Sequence, residues 1–131
     1  MILIDTSIWI SYFSKEPDKH KDAVRSLITD NRPIVLTGVI VTEILQGIRE
    51  ESVLAKIKEI LLSFPLLNFE MEDYLLAADI YRQGRRRGIT IRSTIDCLIA
   101  AISINKKLVL YHNDKDYQQI HTFTPLIFFD G

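Results

Sequence analysis

Short apolar runs alternate along the chain with longer segments in which apolar residues recur at helical spacing. The runs predict buried strands at residues 2–4, 33–36, 65–69, 108–111 and 126–128. Between the first two runs, Val24, Leu27 and Ile28 share one face of a predicted helix. Apolar strands separated by helices are typical of a parallel sheet that is covered on both faces. We therefore predict an α/β fold, a three-layer α/β/α sandwich around a mainly parallel sheet of roughly five strands.

Capping residues and prolines predict where the helices begin. Thr6 or Ser7 is expected to cap a short helix that runs through Phe13. The next helices are predicted to start at residues 17–18, at residues 37–38, at Ser52, near Glu70 and after the cap Ser93. The helix that starts near Glu70 is expected to end near Gly84.

The composition fits one soluble globular domain and gives no global attraction to nucleic acid or membrane. The 131 residues are 47% hydrophobic and 25% charged, with a net charge of -1, so any nucleic-acid binding has to come from a local patch. Asp5 interrupts the N-terminal apolar run, and no stretch approaches the roughly 20 apolar residues that span a bilayer. The single cysteine, Cys97, excludes an internal disulfide and suits a reducing compartment. We predict a single domain over residues 1–131 of a cytoplasmic protein.

Four acidic residues from distant segments are predicted to meet at one edge of the sheet. Asp5 and Asp114 each follow a predicted strand, and Glu43 lies in the helix after the second strand. Asp96 begins a helix that leads into the strand at residues 108–111, so the start of that helix returns to the same edge. Open α/β sheets place their ligands at the carboxyl ends of the strands. We therefore predict a functional site formed by Asp5, Glu43, Asp96 and Asp114.

Each of these acids, taken alone, also has a purely structural interpretation. Asp5 and Asp114 can cap the helices that follow them, and Glu43 can be a solvated helix residue. Ser93 and Asp96 fit the capping-box pattern S-x-x-D, in which Asp96 stabilises the start of its helix. The residues three and four positions after Asp96 are apolar, which places Asp96 along a buried stripe instead. The shared edge favours a site over four independent caps.

A cluster of carboxylates predicts a bound cation, because close like charges either take up protons or bind a positive ion. No Lys or Arg lies in the motifs around Asp5, Glu43 or Asp96, although Lys115 follows Asp114. No Cys and His ligand set is present in the sequence, and oxygen-only ligation selects Mg²⁺ or Mn²⁺. These cations suit attack of a metal-activated water on a phosphodiester. The acids therefore predict metal-dependent hydrolysis of a phosphodiester.

Four segments of the sequence resemble the signature blocks of PIN-domain nucleases. They are IDTSIWI, TEILQGI, RRRGITIRSTIDCLIAA and NDKDY, and their order and spacing are most similar to VapC-type toxins of bacterial toxin–antitoxin pairs. The resemblance covers essentially the whole chain. It implies a metal-dependent endoribonuclease whose acidic residues are Asp5, Glu43, Asp96 and Asp114. It also implies a homodimer that is silenced by a cognate VapB-like antitoxin.

The sequence departs from the family pattern around the fourth acid. That acid usually follows Thr or Ser, whereas Asn113 precedes Asp114 here, and the motif closes with Tyr117 where Phe is common. Asp116 therefore competes with Asp114 for the fourth position. Thr6 and Ser7 resemble the hydroxyl beside the first acid of the family, which holds a water or a carboxylate. Their role as helix caps is an equal alternative.

An arginine cluster is the predicted contact for RNA. Its guanidinium groups lie within eleven residues, just before the helix that carries Asp96, at Arg82, Arg85, Arg86, Arg87 and Arg92. A basic cluster near a metal site suits contact with a phosphate backbone, although arginine at a helix end also complements the helix dipole. Trp9, Tyr12 and Phe13 form an aromatic group on the first helix that suits a core or an antitoxin groove better than base stacking.

Rival functions are less well supported by the sequence. A phosphoryl-transfer enzyme with an aspartate nucleophile needs a second Asp two residues after Asp5, where Ser7 stands. A response-regulator receiver needs an Asp at the end of the third strand, where the sequence is Asn68–Phe69–Glu70. The remaining alternative is a non-catalytic PIN-like module that binds nucleic acid or an antitoxin. Because every candidate acid is present, the sequence favours the nuclease.

Overall fold

Residues 1–130 are described by a computed structural model, in which they form five strands and seven helices. The strands are β1 (Ile2–Ile4), β2 (Ile34–Thr37), β3 (Leu66–Leu67), β4 (Val109–Tyr111) and β5 (Ile127–Phe128). The helices are α1 (Thr6–Phe13), α2 (Lys19–Thr29), α3 (Gly38–Gln46), α4 (Glu51–Leu62), α5 (Met71–Arg86), α6 (Thr94–Asn105) and α7 (Lys115–His121).

All of the strand pairs in the sheet are parallel, in the order β3-β2-β1-β4-β5. The central strand β1 pairs on one side through Leu3 with Val35 and on the other side through Leu3 with Leu110. The connections after β1, β2 and β4 are helical, as parallel pairing requires. The predicted α/β sandwich around a roughly five-stranded parallel sheet is therefore confirmed.

The core lies on both faces of the central strands. Leu3 and Leu36 are fully buried, and so is Trp9 on α1. The middle of α6 is also fully buried, at Ile99 and Ile102. A helix with apolar residues on nearly all sides is typical of an element that is packed within the core. The aromatic group around Trp9 therefore contributes to the core at its centre, with the Phe13 ring stacked 5.7 Å away.

Helices that follow strands begin at the carboxyl edge of the sheet, and polar side chains cap them there. Asp5 caps α1 after β1, Thr37 caps α3 after β2, and Asp114 caps α7 after β4. Each of these side chains accepts a hydrogen bond from a backbone N–H in the first turn. The chain thus collects polar residues at one edge of the sheet.

One predicted cap is wrong, and another occupies the cap position without the expected hydrogen bond. Asp5, not Thr6 or Ser7, caps α1, because its Oδ2 accepts the Ser7 backbone N–H at 3.2 Å. Ser93 precedes α6 as predicted, but within the described residues its side chain makes no capping hydrogen bond. The capping-box interpretation of Ser93 and Asp96 therefore fails, and the carboxylate of Asp96 has other partners.

Two element boundaries differ from the prediction by more than one residue. The third strand covers Leu66–Leu67 rather than residues 65–69, as an edge strand with a single neighbour in the sheet. Helix α5 continues past Gly84 to Arg86, because Gly84 is a packing residue: a Cβ there would lie 3.2 Å from the Ile91 Cδ1. The glycine that ends the helix is Gly88, whose φ of 73° is the left-handed conformation typical of that position.

Among the described residues, the helices are too short or too polar to cross a bilayer.

Candidate active site

Asp5 lies at the end of β1, where it caps α1 and also faces residues of distant segments. Its side chain is 7% exposed. The Oδ2 atom accepts hydrogen bonds from the Ser7 backbone N–H at 3.2 Å and from the Ser7 hydroxyl at 2.9 Å. The Oδ1 atom accepts a hydrogen bond from the Tyr117 hydroxyl at 3.0 Å. Different oxygens of Asp5 therefore cap α1 and contact Tyr117.

The hydroxyl of Tyr117 connects the first and third predicted acids. It lies 3.0 Å from the Asp5 Oδ1 and 3.2 Å from the Asp96 Oδ1. Tyr117 is fully buried. Burial, together with the charges of Asp5 and Asp96, holds the pKa of Tyr117 well above its ordinary value, so the phenol remains a donor. The sequence marked Tyr117 only as a departure from the family pattern and gave no sign of this contact.

Three carboxylates gather around the start of α7. Asp96, Asp114 and Asp116 each offer one carboxylate oxygen, and these oxygens lie within 4.8 Å of one another. Asp114 Oδ1 caps α7 by accepting the Asp116 backbone N–H at 2.9 Å. Asp116 is 4% exposed, so its carboxylate is held inside the site rather than in solvent. Both candidates for the fourth acid therefore lie at the same place.

The pKa of Asp96 is raised by burial and by this arrangement of acids. Burial, followed by the negative charges of Asp114, Asp5 and Asp116, raises its pKa from an ordinary value of 3.8 to about 7. The hydrogen bond from Tyr117 acts in the opposite direction. A cation placed among these groups favours the ionised carboxylate and removes the repulsion. The donor set fits a hard cation, because oxygens of several acids converge and one of them holds a proton near neutral pH without it.

Glu43 contacts Thr6, the residue that follows Asp5. Its Oε1 accepts a hydrogen bond from the Thr6 hydroxyl at 2.7 Å, and both side chains are half-buried. Glu43 does not belong to the trio around α7. The structure therefore places this acid on the Asp5 side of the site.

Ser7 connects the start of α1 to the loop after β4. Its hydroxyl donates to the Asp5 Oδ2 at 2.9 Å and accepts the Asn113 backbone N–H at 3.2 Å. The first turn of α1 is thus joined to the loop that carries Asp114. Ser7 supports a carboxylate, one of the two roles considered from the sequence.

Arg92 is the basic residue that lies against the acids. Its Nε is 3.6 Å from the Asp116 Oδ1, and its Nη2 is 3.8 Å from the Asp114 Oδ1. Its backbone N–H also donates to the Asp116 Oδ2 at 3.3 Å. Arg92 is far from these two acids in the sequence, so the residues adjacent to each acid gave no sign of the pairing. The side chain of Arg92 is 71% exposed, so its charge remains accessible from solvent.

The other four arginines of the cluster lie exposed at the end of α5. The Arg87 guanidinium lies 5.0 Å from the centre of the Phe123 ring, and Arg85 lies 5.9 Å from that of Tyr81. These cation–π contacts hold the arginine stems and leave the charges on the surface.

A groove of about 480 Å³ opens between α1, α3 and α4, beside the Glu43 end of the site. Its lining includes Ile10, Phe13, Ile44, Val53 and Ile57, together with Glu43. Ile10 is 57% exposed and Val53 is 38% exposed, so an apolar strip faces solvent there. Trp9 is buried beneath this region rather than exposed in it.

Comparison with known proteins identifies the family. The family described as PIN domain matches residues 2–122. The chain is similar to ribonuclease VapC11 of Mycobacterium tuberculosis, with 37% identity over 128 residues and 96% of each protein covered. Among solved structures it resembles FitAcB from Neisseria gonorrhoeae, with a TM-score of 0.79, 20% identity and coverage of 99% of this chain and 97% of that chain.

A second solved structure has the same fold. VapBC2 from Rickettsia felis, bound to a DNA fragment from its promoter, aligns with a TM-score of 0.77 and 21% identity over 98% of this chain and 97% of that chain. The two structures support the architecture, and the family match and the sequence identity support the kinship. The chain therefore belongs to the PIN domain family and, within it, to the VapC ribonucleases.

Proposed function

We propose that residues 1–131 form one domain that cleaves RNA with a Mg²⁺ or Mn²⁺ ion and acts as the toxin of a toxin–antitoxin pair. The observation that carries the proposal is the convergence of carboxylate oxygens from Asp96, Asp114 and Asp116 within 4.8 Å. Asp5 joins them through the shared contact with Tyr117. The residues proposed to hold the ion are Asp5, Glu43, Asp96 and Asp114, with Asp116 as an additional oxygen ligand.

The protein groups divide the work of phosphodiester hydrolysis. A bound divalent ion supplies an activated water and stabilises charge on the leaving oxygen. The acids hold the ion, and Ser7 and Thr6 orient Asp5 and Glu43 by hydrogen bonding. Arg92 lies beside Asp114 and Asp116 with most of its side chain exposed, so its guanidinium is available to a phosphate of the substrate.

Cleavage assays with and without chelator test the metal requirement. We expect purified protein to cleave RNA in Mg²⁺ or Mn²⁺ and to lose all cleavage in EDTA. Asp5→Asn should abolish most of the activity in either ion. Cleavage that persists in EDTA would overturn the metal mechanism. A protein that binds the metal but does not cleave RNA would favour a non-catalytic module.

The exposed arginines at the end of α5 are the proposed contact for the RNA backbone. Replacing Arg86 and Arg87 with Ala should weaken binding to all RNA sequences and lower the salt slope by about 0.7 for each phosphate that is no longer neutralised. The matched control replaces Lys56 and Lys58 on α4, which are equally exposed and remove the same charge. Equal effects of the two double variants would show a general charge effect rather than a contact surface.

The apolar groove between α1, α3 and α4 is the proposed seat of the antitoxin. An amphipathic segment recognises such a groove through apolar anchors. Ile10, the most exposed of the apolar groove residues, is the position to test. On co-expression with an antitoxin encoded next to the toxin gene, Ile10→Asp should release the partner. The control Leu62→Asp alters a similarly exposed residue at the end of α4 and should retain it.

The homodimer is proposed to form along α5. An apolar stripe on this helix is exposed at Met71, Tyr74, Leu75 and Tyr81. Glu72 lies near the start of the helix and Arg85 near its end, so an antiparallel two-fold pairing brings opposite charges together. Leu75→Asp should convert a dimer into a monomer in light-scattering measurements, whereas Leu62→Asp should not.

We assign the protein to the cytoplasm, where the free, buried thiol of Cys97 stays reduced.

A further inference from the structure

Two different residues neutralise or hold the acids of the site. Arg92 lies against Asp114 and Asp116, with which it forms long ion pairs. Asp5 and Asp96 are instead joined by the Tyr117 hydroxyl, at 3.0 Å and 3.2 Å. A guanidinium cancels negative charge, whereas a phenol offers only a dipole. Among the described residues, Asp5 and Asp96 therefore have no basic side chain to compensate their negative charge, and a cation can take that role.

The position of Tyr117 is fixed by the fold. It lies in α7, two positions after the start of the helix, and its side chain is fully buried. The His112 ring lies 5.0 Å from the Tyr117 ring, centre to centre. The hydroxyl thus cannot leave the two carboxylates without a rearrangement of the packed side chain.

Both carboxylates retain oxygens that a cation can use. Tyr117 contacts Oδ1 of Asp5 and Oδ1 of Asp96, and Ser7 contacts Oδ2 of Asp5. Within residues 1–130, the Asp96 Oδ2 accepts no hydrogen bond from a side chain. A carboxylate oxygen also has two lone pairs, so one hydrogen bond does not exhaust it.

We propose that Tyr117 is a positioning residue that holds the Asp5 and Asp96 carboxylates in the arrangement that binds the cation. This inference rests on the proposed metal-dependent function. Outer-shell groups that orient metal ligands typically account for about 10–100-fold in metal affinity. Without the hydroxyl, Asp5 and Asp96 have to be ordered when the ion binds, and the affinity falls.

Calorimetric titration of the metal-free protein with Mn²⁺ tests the inference. Tyr117→Phe removes the hydroxyl and keeps the ring, and it should weaken Mn²⁺ binding about tenfold or more. The matched control is Tyr111→Phe, because Tyr111 is also buried but its hydroxyl contacts the His20 Nδ1 at 2.8 Å. The control should bind Mn²⁺ as tightly as the wild type, because the Tyr111 hydroxyl contacts His20 and none of the proposed metal ligands.

The thermal melting temperature in EDTA separates positioning from general support of the fold. A merely structural hydroxyl lowers the melting temperature of Tyr117→Phe but leaves Mn²⁺ affinity unchanged, and that result would overturn the inference. If the wild type itself binds no Mn²⁺, the proposed function fails and the inference fails with it. If the wild type binds Mn²⁺ and cleaves RNA while Tyr117→Phe binds equally well, only the inference fails.

A measurement on the wild type covers the case in which Tyr117→Phe does not fold. The protein is labelled with ¹³C at the Cζ of its five tyrosines, and Tyr117 is assigned by elimination with Phe variants of the other four. Added Mg²⁺ should shift the Tyr117 resonance, because the carboxylates that its hydroxyl contacts become ligands. The Tyr111 resonance should not move. A Tyr117 resonance that stays in place at saturating Mg²⁺ would refute the positioning role.

Discussion

Asp73 and Asp96 hold the same position in neighbouring helices, the third residue after the cap, yet they meet very different surroundings. Asp73 Oδ2 accepts the Glu70 backbone N–H at 2.9 Å, and Asp73 Oδ1 accepts the Asn105 side-chain amide at 2.8 Å. Asp96 Oδ1 receives one hydrogen bond, from Tyr117, and its other close neighbours are acids. Asp73 is thus fully provided with donors, whereas Asp96 is left among charges of its own sign.

The difference teaches that position in a helix does not distinguish an acid that stabilises the fold from one that is proposed to bind a metal. Asp73 closes a true capping interaction and joins α5 to the end of α6. Asp96 also lies three residues after its cap, in the pattern S-x-x-D rather than the E-x-x-D of Asp73, but its helix is not capped by the Ser93 side chain. What distinguishes them is whether the carboxylate has its own donors. The unmatched charge of Asp96 is a reason for the site to bind a cation.

The largest expected contrast between the two acids is in catalysis. Asp96→Asn removes a proposed metal ligand and should lower RNA cleavage by about 100-fold or more, the upper end of what even an outer-shell contact contributes. Asp73→Asn lies outside the site and should keep wild-type cleavage at temperatures where it is folded. The measurement is the initial rate of cleavage in Mg²⁺ at a temperature below both melting transitions. Equal losses in the two variants would erase the distinction.

Metal should also stabilise the two variants differently. A ligand that binds only the folded state stabilises it by about 2.7 kcal/mol at one hundred times its dissociation constant. Mg²⁺ should therefore raise the melting temperature of the wild type and of Asp73→Asn equally, and that of Asp96→Asn much less. Thermal unfolding in EDTA and in Mg²⁺ measures the shift. A full Mg²⁺ response in Asp96→Asn would show that Asp96 is not a ligand.

The stability of the metal-free protein should depend on Asp73 more than on Asp96. Asp73 is fully buried, and an Asn there presents an amide to one of two donors. An unmatched buried group of this kind costs about 1–3 kcal/mol. Denaturant unfolding of Asp73→Asn in EDTA should show that loss, with no relief on addition of Mg²⁺. A variant as stable as the wild type would mean that the pairing with Asn105 and Glu70 contributes nothing.

Sequence reasoning found the fold because apolar runs and helical periodicity are local signals. It also brought out Asp5, Asp96 and Asp114, since the ends of parallel strands share an edge and the structure does place these acids there. It did not find the contact of Tyr117 with Asp5, which joins residues 112 positions apart. A local sequence pattern does not indicate which distant side chain will contact a given carboxylate.

The errors have the same physical origin. Ser93 has the right residue type for a cap, but its hydroxyl is not used as one. Gly84 has the right type for a helix end, but it is a glycine because Ile91 packs closely against it. The pairing of Arg92 with Asp116 spans a loop and a helix, so no adjacent position in the sequence indicates it. Residue type limits what a position can do, and tertiary contacts decide which use is made of it.

The smallest expected difference between Asp73 and Asp96 is in the pH dependence of stability. Its sign follows from the pKa of Asp96. In the folded, metal-free protein this pKa is about 7, above the ordinary 3.8 that the unfolded chain retains. Between these values the folded state holds a proton that the unfolded state has lost. The contribution of Asp96 to the free energy of unfolding is therefore fully present below about pH 4 and declines as the pH rises to about 7.

Asp96→Asn carries no titrating group at this position and lacks that decline. The variant should thus gain stability relative to the wild type as the pH rises through this window, and be as stable as the wild type or more so at pH 7.5. Denaturant unfolding of both proteins in EDTA at pH 4.5, 5.5, 6.5 and 7.5 gives the difference directly. Asp73→Asn serves as the control for replacing a buried Asp by Asn outside the proposed site. A flat difference for Asp96→Asn would mean that the folded carboxylate ionises as it does in the unfolded chain, and Asp96 would join Asp73 as a structural acid.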